Sequence, residues 1–235
     1  MVPLLLVILA QGGPPLLTDD PGTPGDGKWE INLALTFEEV EEGGLFEVPL
    51  IDLNYGLGER MQLKLEIPWL VLDDANDSTT TGLGDLVLGS KWRFLDDEKA
   101  GVSASVYPQL GLNTVESSAD RGLVERGTEL FLPMEFRRDF GFLDVNVELG
   151  YALREACDDE WVFGVAVGRH LSERFELIGE IHGTSDARLD DADAVFRVGF
   201  RAGLTDVDTL LFSVGSGLAS AEPDVSVYLG LQLSF

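Results

Sequence analysis

From residue 224 onward the chain reads D-V-S-V-Y-L-G-L-Q-L-S-F, and this stretch most constrains the fold. Val225, Val227, Leu229, Leu231, Leu233 and Phe235 share one parity; Ser226, Tyr228, Gly230, Gln232 and Ser234 share the other. Strand side chains alternate with period two, so one face is wholly apolar and the other polar or small. A soluble sandwich also has one apolar face per strand. Repeated along the chain and ended by an aromatic residue, the pattern predicts a closed barrel whose outside meets lipid.

The same scheme recurs in about twelve runs. Trp29, Ile31, Leu33, Leu35 and Phe37 oppose Glu30, Asn32, Ala34 and Thr36; Leu143, Val145, Val147, Leu149 and Tyr151 oppose Asp144, Asn146, Glu148 and Gly150. The run over 46–57 is less regular. Most runs approach the roughly nine to eleven residues with which a tilted strand crosses a bilayer. Links at 38–44, 73–81, 114–127, 154–160, 184–193 and 219–223 are longer and polar; those at 58–60, 96–99, 138–141, 172–174 and 205–208 are short. Long loops at one end and tight turns at the other are the arrangement of an outer-membrane barrel, with the turns periplasmic. The fold class expected is all-β: a transmembrane, up-and-down antiparallel β-barrel of about twelve strands over residues 28–235.

Residues 1–13 are expected to be a signal-peptide-like segment, either truncated at its start or a weak signal. Its apolar stretch 2–10 is about half the length that spans a bilayer as a helix and has no basic residues before it. Residues 14–27 (PPLLTDDPGTPGDG) are rich in Pro, Gly and Asp and should be irregular, either periplasmic or a plug in the lumen. The location expected is the outer membrane of a Gram-negative cell.

Several charged positions inside strands lie opposite the apolar stripe. These are Lys64, Glu66, Asp85, Lys91, Arg93, Glu135 and Arg137 in the first part of the chain, and Asp144, Glu148, Glu176, Glu180, Arg197 and Arg201 in the second. An Arg or Lys facing lipid at the midplane costs about 2–4 kcal/mol, so these residues, with His182, are expected to line the lumen. Glu176 and Glu180 precede Arg197 and Arg201 on neighbouring strands, which suggests cross-strand pairs. Trp29, Tyr55, Trp69, Trp92, Phe94, Tyr151, Trp161, Phe175 and Phe235 lie near run ends and are expected at the lipid interfaces.

Composition excludes several function classes. The formal net charge is −26, with 42 acidic against 16 basic residues, which argues against nucleic acid because phosphates are neutralised by Lys and Arg. One Cys and two His leave no thiolate cluster and make a metal centre improbable on counts alone. There is no G-x-S-x-G elbow and no phosphate-loop pattern. No catalytic residue, no metal, no cofactor and no enzymatic activity are expected. Acidic clusters at 38–42, 158–160 and 186–193 read as solvated loop faces.

Several segments carry a family resemblance: L-T-D-D-P-G-T at 17–23, I-D-L-N-Y-G-L at 51–57, Q-L-K-L-E-I-P-W at 62–69 and G-L-G-D-L-V-L-G-S-K-W-R-F at 82–94. Together they resemble the outer-membrane barrels of the MetA-pathway phenol-degradation family, over about the first hundred residues. The resemblance implies an outer-membrane protein passing small aromatic or hydrophobic compounds, and it brings no catalytic residues.

The function expected is therefore passive transport of small solutes. The alternatives are a non-conducting structural or adhesive barrel and a soluble secreted ligand-binding barrel. Expected partners are outer-membrane lipid, the barrel-assembly machinery through the terminal strand ending at Phe235, and a small solute.

Overall fold

The computed structural model describes residues 13–40, 43–74, 78–218 and 223–235. The signal-like stretch 2–10 lies outside them. Twelve antiparallel strands form one closed barrel: β1 Trp29–Val40, β2 Gly43–Leu57, β3 Met61–Asp74, β4, β5, β6 Thr128–Asp139, β7 Asp144–Arg154, β8 Glu160–Ser172, β9 Phe175–Asp186, β10 Ala192–Gly203, β11 Asp208–Gly217 and β12 Val225–Ser234. Strand β4 runs in two pieces, Ser78–Leu83 and Leu86–Asp97, both paired with β3. Strand β5 likewise comprises Val102–Val106 and Gln109–Leu112, broken where Pro108 has no N–H to give the ladder. A short helix α1, Glu116–Asp120, interrupts the link from β5 to β6.

Each strand pairs with its sequence neighbours, and β1 closes on β12 with Leu33 opposite Leu231 and Leu35 opposite Leu229. Trp29 and Phe235 exchange backbone hydrogen bonds of 2.8 and 3.0 Å at the seam. Closure leaves no open sheet edge, as a bilayer requires. Among the described residues no helix is long and apolar enough to cross a membrane.

The two faces separate as the alternation demands. Leu33, Leu35, Leu63, Leu88, Val147, Leu149, Val165, Val198 and Leu229 stand on the outside, exposed to whatever surrounds the barrel. Asn32, Asp52, Lys64, Glu135, Glu148, Glu180 and Arg197 are buried inside. A soluble β-barrel would reverse this arrangement, which removes the reading of a soluble ligand-binding barrel.

Two sequence expectations need adjustment. The irregular run in β2 contains a register shift between Glu47 and Leu50, where Val48 and Pro49 bulge outward. That bulge hid the inward parity of Asp52 and Asn54. Most of the expected long loops are shorter than their polar composition suggested. Residues 38–40, 43–44, 73–74, 78–81 and 184–186 belong to strands, with Glu38 opposite Leu45 and Asp73 opposite Thr79. Ladder hydrogen bonds continue as hairpins beyond the apolar band, because polarity stops lipid contact but does not stop strand pairing. Among the described links only 113–127 is long. It folds inward, so that Leu123 and Val124 pack on the inward-facing Leu70.

The wall makes a direct prediction. Leu229→Arg, in the middle of the outer band, should lower unfolding free energy in lipid by about 2–4 kcal/mol. Gln232→Arg, on the inner face, should cost clearly less. Urea titration of the refolded protein in vesicles distinguishes the two.

Candidate functional site: a filled, ion-paired lumen

The interior is occupied. Residues 13–22 lie inside the barrel and touch strands on opposite walls. The Leu17 and Thr18 N–H groups donate to the two carboxylate oxygens of Glu180, each at 2.8 Å. Arg201 donates to the carbonyls of Pro14 and Gly13, both at 3.1 Å, and Ser213 Oγ donates to Pro15 at 2.6 Å. On the far side Lys91 Nζ lies 2.9 Å from Asp19 Oδ2 and also donates to the Asp20 carbonyl. Leu16 fills an apolar notch between Ala166 and Ile178. Proline-rich, glycine-rich chain cannot join the ladder, so its backbone groups are satisfied by inward side chains.

Two glycines admit this segment. A Cβ at Gly164 would come within 2.3 Å of Thr18 Oγ1, and one at Gly56 within 1.8 Å of the Gly25 carbonyl, where the chain enters past the turn end. Any larger residue at either place would displace the segment.

Around the segment runs a polar network. Asp52 accepts from Asn32 and Asn54, each at 3.0 Å, and Gln62 donates to Asn54 (2.7 Å) and to the Tyr107 hydroxyl (3.1 Å). Lys91 sits 4.5 Å from the centre of the Tyr107 ring and 3.4 Å from Glu135, which also accepts from Ser105. Lys64 bridges Asp52 and Glu66 at 3.6 and 2.8 Å. Buried charges persist only when paired in this way. Burial alone would raise the Asp20 carboxyl, but the Lys91, Arg137 and Arg201 charges outweigh it and hold it below the usual carboxylate range.

Every charged residue expected to line the lumen points inward. Lys64, Glu66, Lys91, Glu135, Asp144, Glu148, Glu176, Glu180, His182 and Arg197 are buried; Asp85, Arg93, Arg137 and Arg201 are partly so, nearer the ends. The cross-strand expectation holds for one pair and not for the other. Arg201 meets Glu176 at 3.2 Å. Arg197 stands opposite Glu180 in register but pairs with Glu38 at 2.9 Å, because Glu180 is held by the backbone of residues 17 and 18. His182 lies 3.6 Å from Glu148. Sequence reasoning did not single out Asp19, Asp52, Asn54, Gln62 or Tyr107. Inward parity marked Gln62 and Tyr107, but nothing local connected either to a lysine several strands away.

The aromatic residues collect toward the two ends on the outer face. Trp29 packs on Tyr55 at 4.8 Å, Trp92 on Phe94 at 6.0 Å, and Phe175 on Phe200 at 5.5 Å toward the turn end, where Phe235 also lies. Tyr151 meets Trp161 at 4.9 Å toward the loop end, and Trp69 is exposed in the same half.

One grouping was not expected. Asp144, His170 and Glu176, on three adjacent strands near the turn end, bring potential metal-ligand atoms within 4.8 Å of one another. Arg137 lies 3.3 Å from Asp144 and Arg201 3.2 Å from Glu176, so both carboxylates already have cationic partners.

No family model and no curated protein sequence matches this chain. Solved structures do. The COG4313 outer membrane channel from Pseudomonas putida F1 superposes with a TM-score of 0.77 at 17% identity, over 92% of this chain and 99% of that one. The KdgM porin gives 0.64 at 10% identity over 88% and 99%, and the NanC porin 0.63 at 9% over 86% and 98%. The fold is therefore that of outer-membrane β-barrels of the channel and porin type. With its oily exterior, it places the protein in the outer membrane.

At the loop end, Cys157 offers a chemical check. Partial burial and the adjacent Glu125, which accepts from the thiol, push its pKa from 9.0 up to about 11. The thiolate fraction at pH 8 falls about a hundredfold, and the greater nucleophilicity of a more basic thiolate restores about tenfold. Bromobimane labelling at pH 8 should thus be about tenfold slower in folded than in urea-unfolded protein, and Glu125→Gln, which removes the charge but not the burial, should recover part of that difference.

Proposed function

We propose that this protein is a passive outer-membrane channel for small solutes whose lumen is narrowed by residues 13–22. The observation that carries this reading is the segment's attachment: side-chain hydrogen bonds and one salt bridge hold it, with no ladder pairing to the wall. A segment held by separable contacts can yield. Selection would operate through lumen width and the charges of Lys91, Glu148, Glu180 and Arg201 at close quarters. The resemblance of residues 17–94 to the MetA-pathway barrels supports small aromatic or hydrophobic compounds as cargo. The fold shared with a channel and two porins supports conduction as the activity.

A second reading has its own observation. The Asn32–Asp52–Gln62–Tyr107 network and the Leu16 notch fill much of the cross-section. A barrel filled in this way would be structural or adhesive, conducting nothing. On either reading the partners would be lipid around the wall and the assembly machinery at the strand ending in Phe235; only the channel takes a solute.

Planar-bilayer recording separates the two. The intact protein should show small single-channel steps. Gly164→Val, which displaces Thr18 without removing a charge, and deletion of residues 13–22 should each raise the conductance severalfold. Absence of steps in all three proteins, with each shown folded by heat-modifiable gel migration, would replace the channel with the structural reading.

A further inference from the structure

At the loop end, above the filled lumen, lies a pocket of about 50 Å³ between the 113–127 link and the residues following β7. Its chemistry is one-sided. Asp85, Glu125, Glu129 and Glu155 line it against Arg126 and Arg154. Both arginines are engaged elsewhere: Arg126 with Asp120, Arg154 with Glu160 at 3.2 Å and with the Asp158 carbonyl at 2.6 and 2.8 Å. Of the four carboxylates, Glu155 accepts from Thr128 and Glu125 from Cys157, and the formal excess over the two guanidiniums is two negative charges.

A second, independent observation comes from unmet acceptors. Gln109 lines the pocket and is only 3% exposed, yet its Oε1 has no hydrogen-bond partner. Asp85 Oδ1, on the same wall, is also without one. Buried acceptors of this kind are costly unless a donor reaches them. The two acceptors therefore lack a donor, and the carboxylates outnumber the guanidiniums. A single group supplying a donor and a positive charge is an ammonium, which carries three N–H donors and one charge. Val87 and Phe131 provide an apolar flank for the carbon beside it. A bare divalent ion fits less well. Among the described residues, the one set of three ligand-type side chains close enough to share an ion is at the opposite end of the barrel.

We infer that this pocket binds the ammonium head of a small alkylamine, between Asp85, Gln109 and Glu129. The site deepens the channel reading, since it stands where a solute enters from outside; its test does not depend on conduction. The head fits the volume, since about 10–15 Å³ of such space already holds one water.

Isothermal titration of the detergent-solubilised, full chain with n-butylammonium chloride is the experiment. Saturable binding is expected, with n-butanol inert and calcium chloride unable to displace the amine. Asp85→Asn with Glu129→Gln should weaken binding at least tenfold. Gln109→Leu should do so by a smaller factor, and Glu125→Gln, in the loop outside the wall, gives an arm that spares the barrel. No saturable heat from the wild-type protein would mean that water alone fills the pocket, and calcium displacing the amine would mean a metal site; either overturns the assignment. So would unchanged affinity in variants that retain heat-modifiable migration. Binding without bilayer conductance would keep this site and remove the channel, and conductance without binding would do the opposite.

Discussion

A wall one chain thick must satisfy lipid on one side and ionised groups on the other, and the rest of the structure follows from that. Closure is the first consequence, because an unpaired ladder edge in hydrocarbon has no water to turn to. The β1–β12 seam, from Glu30–Ser234 to Glu39–Val225, removes that edge. Segregation is the second. With Leu229, Val147 and Leu88 outside, the opposite parity of each strand must hold everything polar. The lumen then contains Lys64, Lys91, Arg197 and their carboxylates, in a space too narrow for full hydration.

Neutralising that interior explains its geometry better than any single contact. Lys91 is 2% exposed and Glu135 fully buried, and Asp19 of the inserted segment completes their triad. Removing one partner would strand a buried charge at a cost of about 3–5 kcal/mol. The inserted segment is thus part of the charge balance as well as an obstruction. The Glu180 carboxylate shows the same economy: it turns from the arginine opposite it to two backbone N–H groups that nothing else would satisfy.

The two ends differ in kind. At the turn end, short connections, the aromatic pairs Trp29–Tyr55 and Trp92–Phe94 and the arginine-balanced Asp144–Glu176 group form a compact rim. At the loop end, hairpins extend past the apolar band, and the 113–127 link folds over Leu70 to leave a small acidic pocket.

The sequence by itself determined the barrel, the parity of its faces and the inward direction of the charged residues singled out from Lys64 to Arg201. Period-two alternation is a local property of the strand, and the cost of charge in lipid leaves one choice of face. It did not determine which inward groups meet. Asp52 was obscured by the bulge at Val48 and Pro49, and hairpins continued where polar composition suggested loops. Only closing the cylinder brought Asp19 to Lys91, Glu38 to Arg197 and Gln109 to the acidic pocket, because those distances depend on barrel curvature and on strands far apart in the chain. Whether 14–27 hung below the barrel or entered it was likewise a tertiary matter, decided by whether a carboxylate at Glu180 and a space over Gly164 stood ready to receive it.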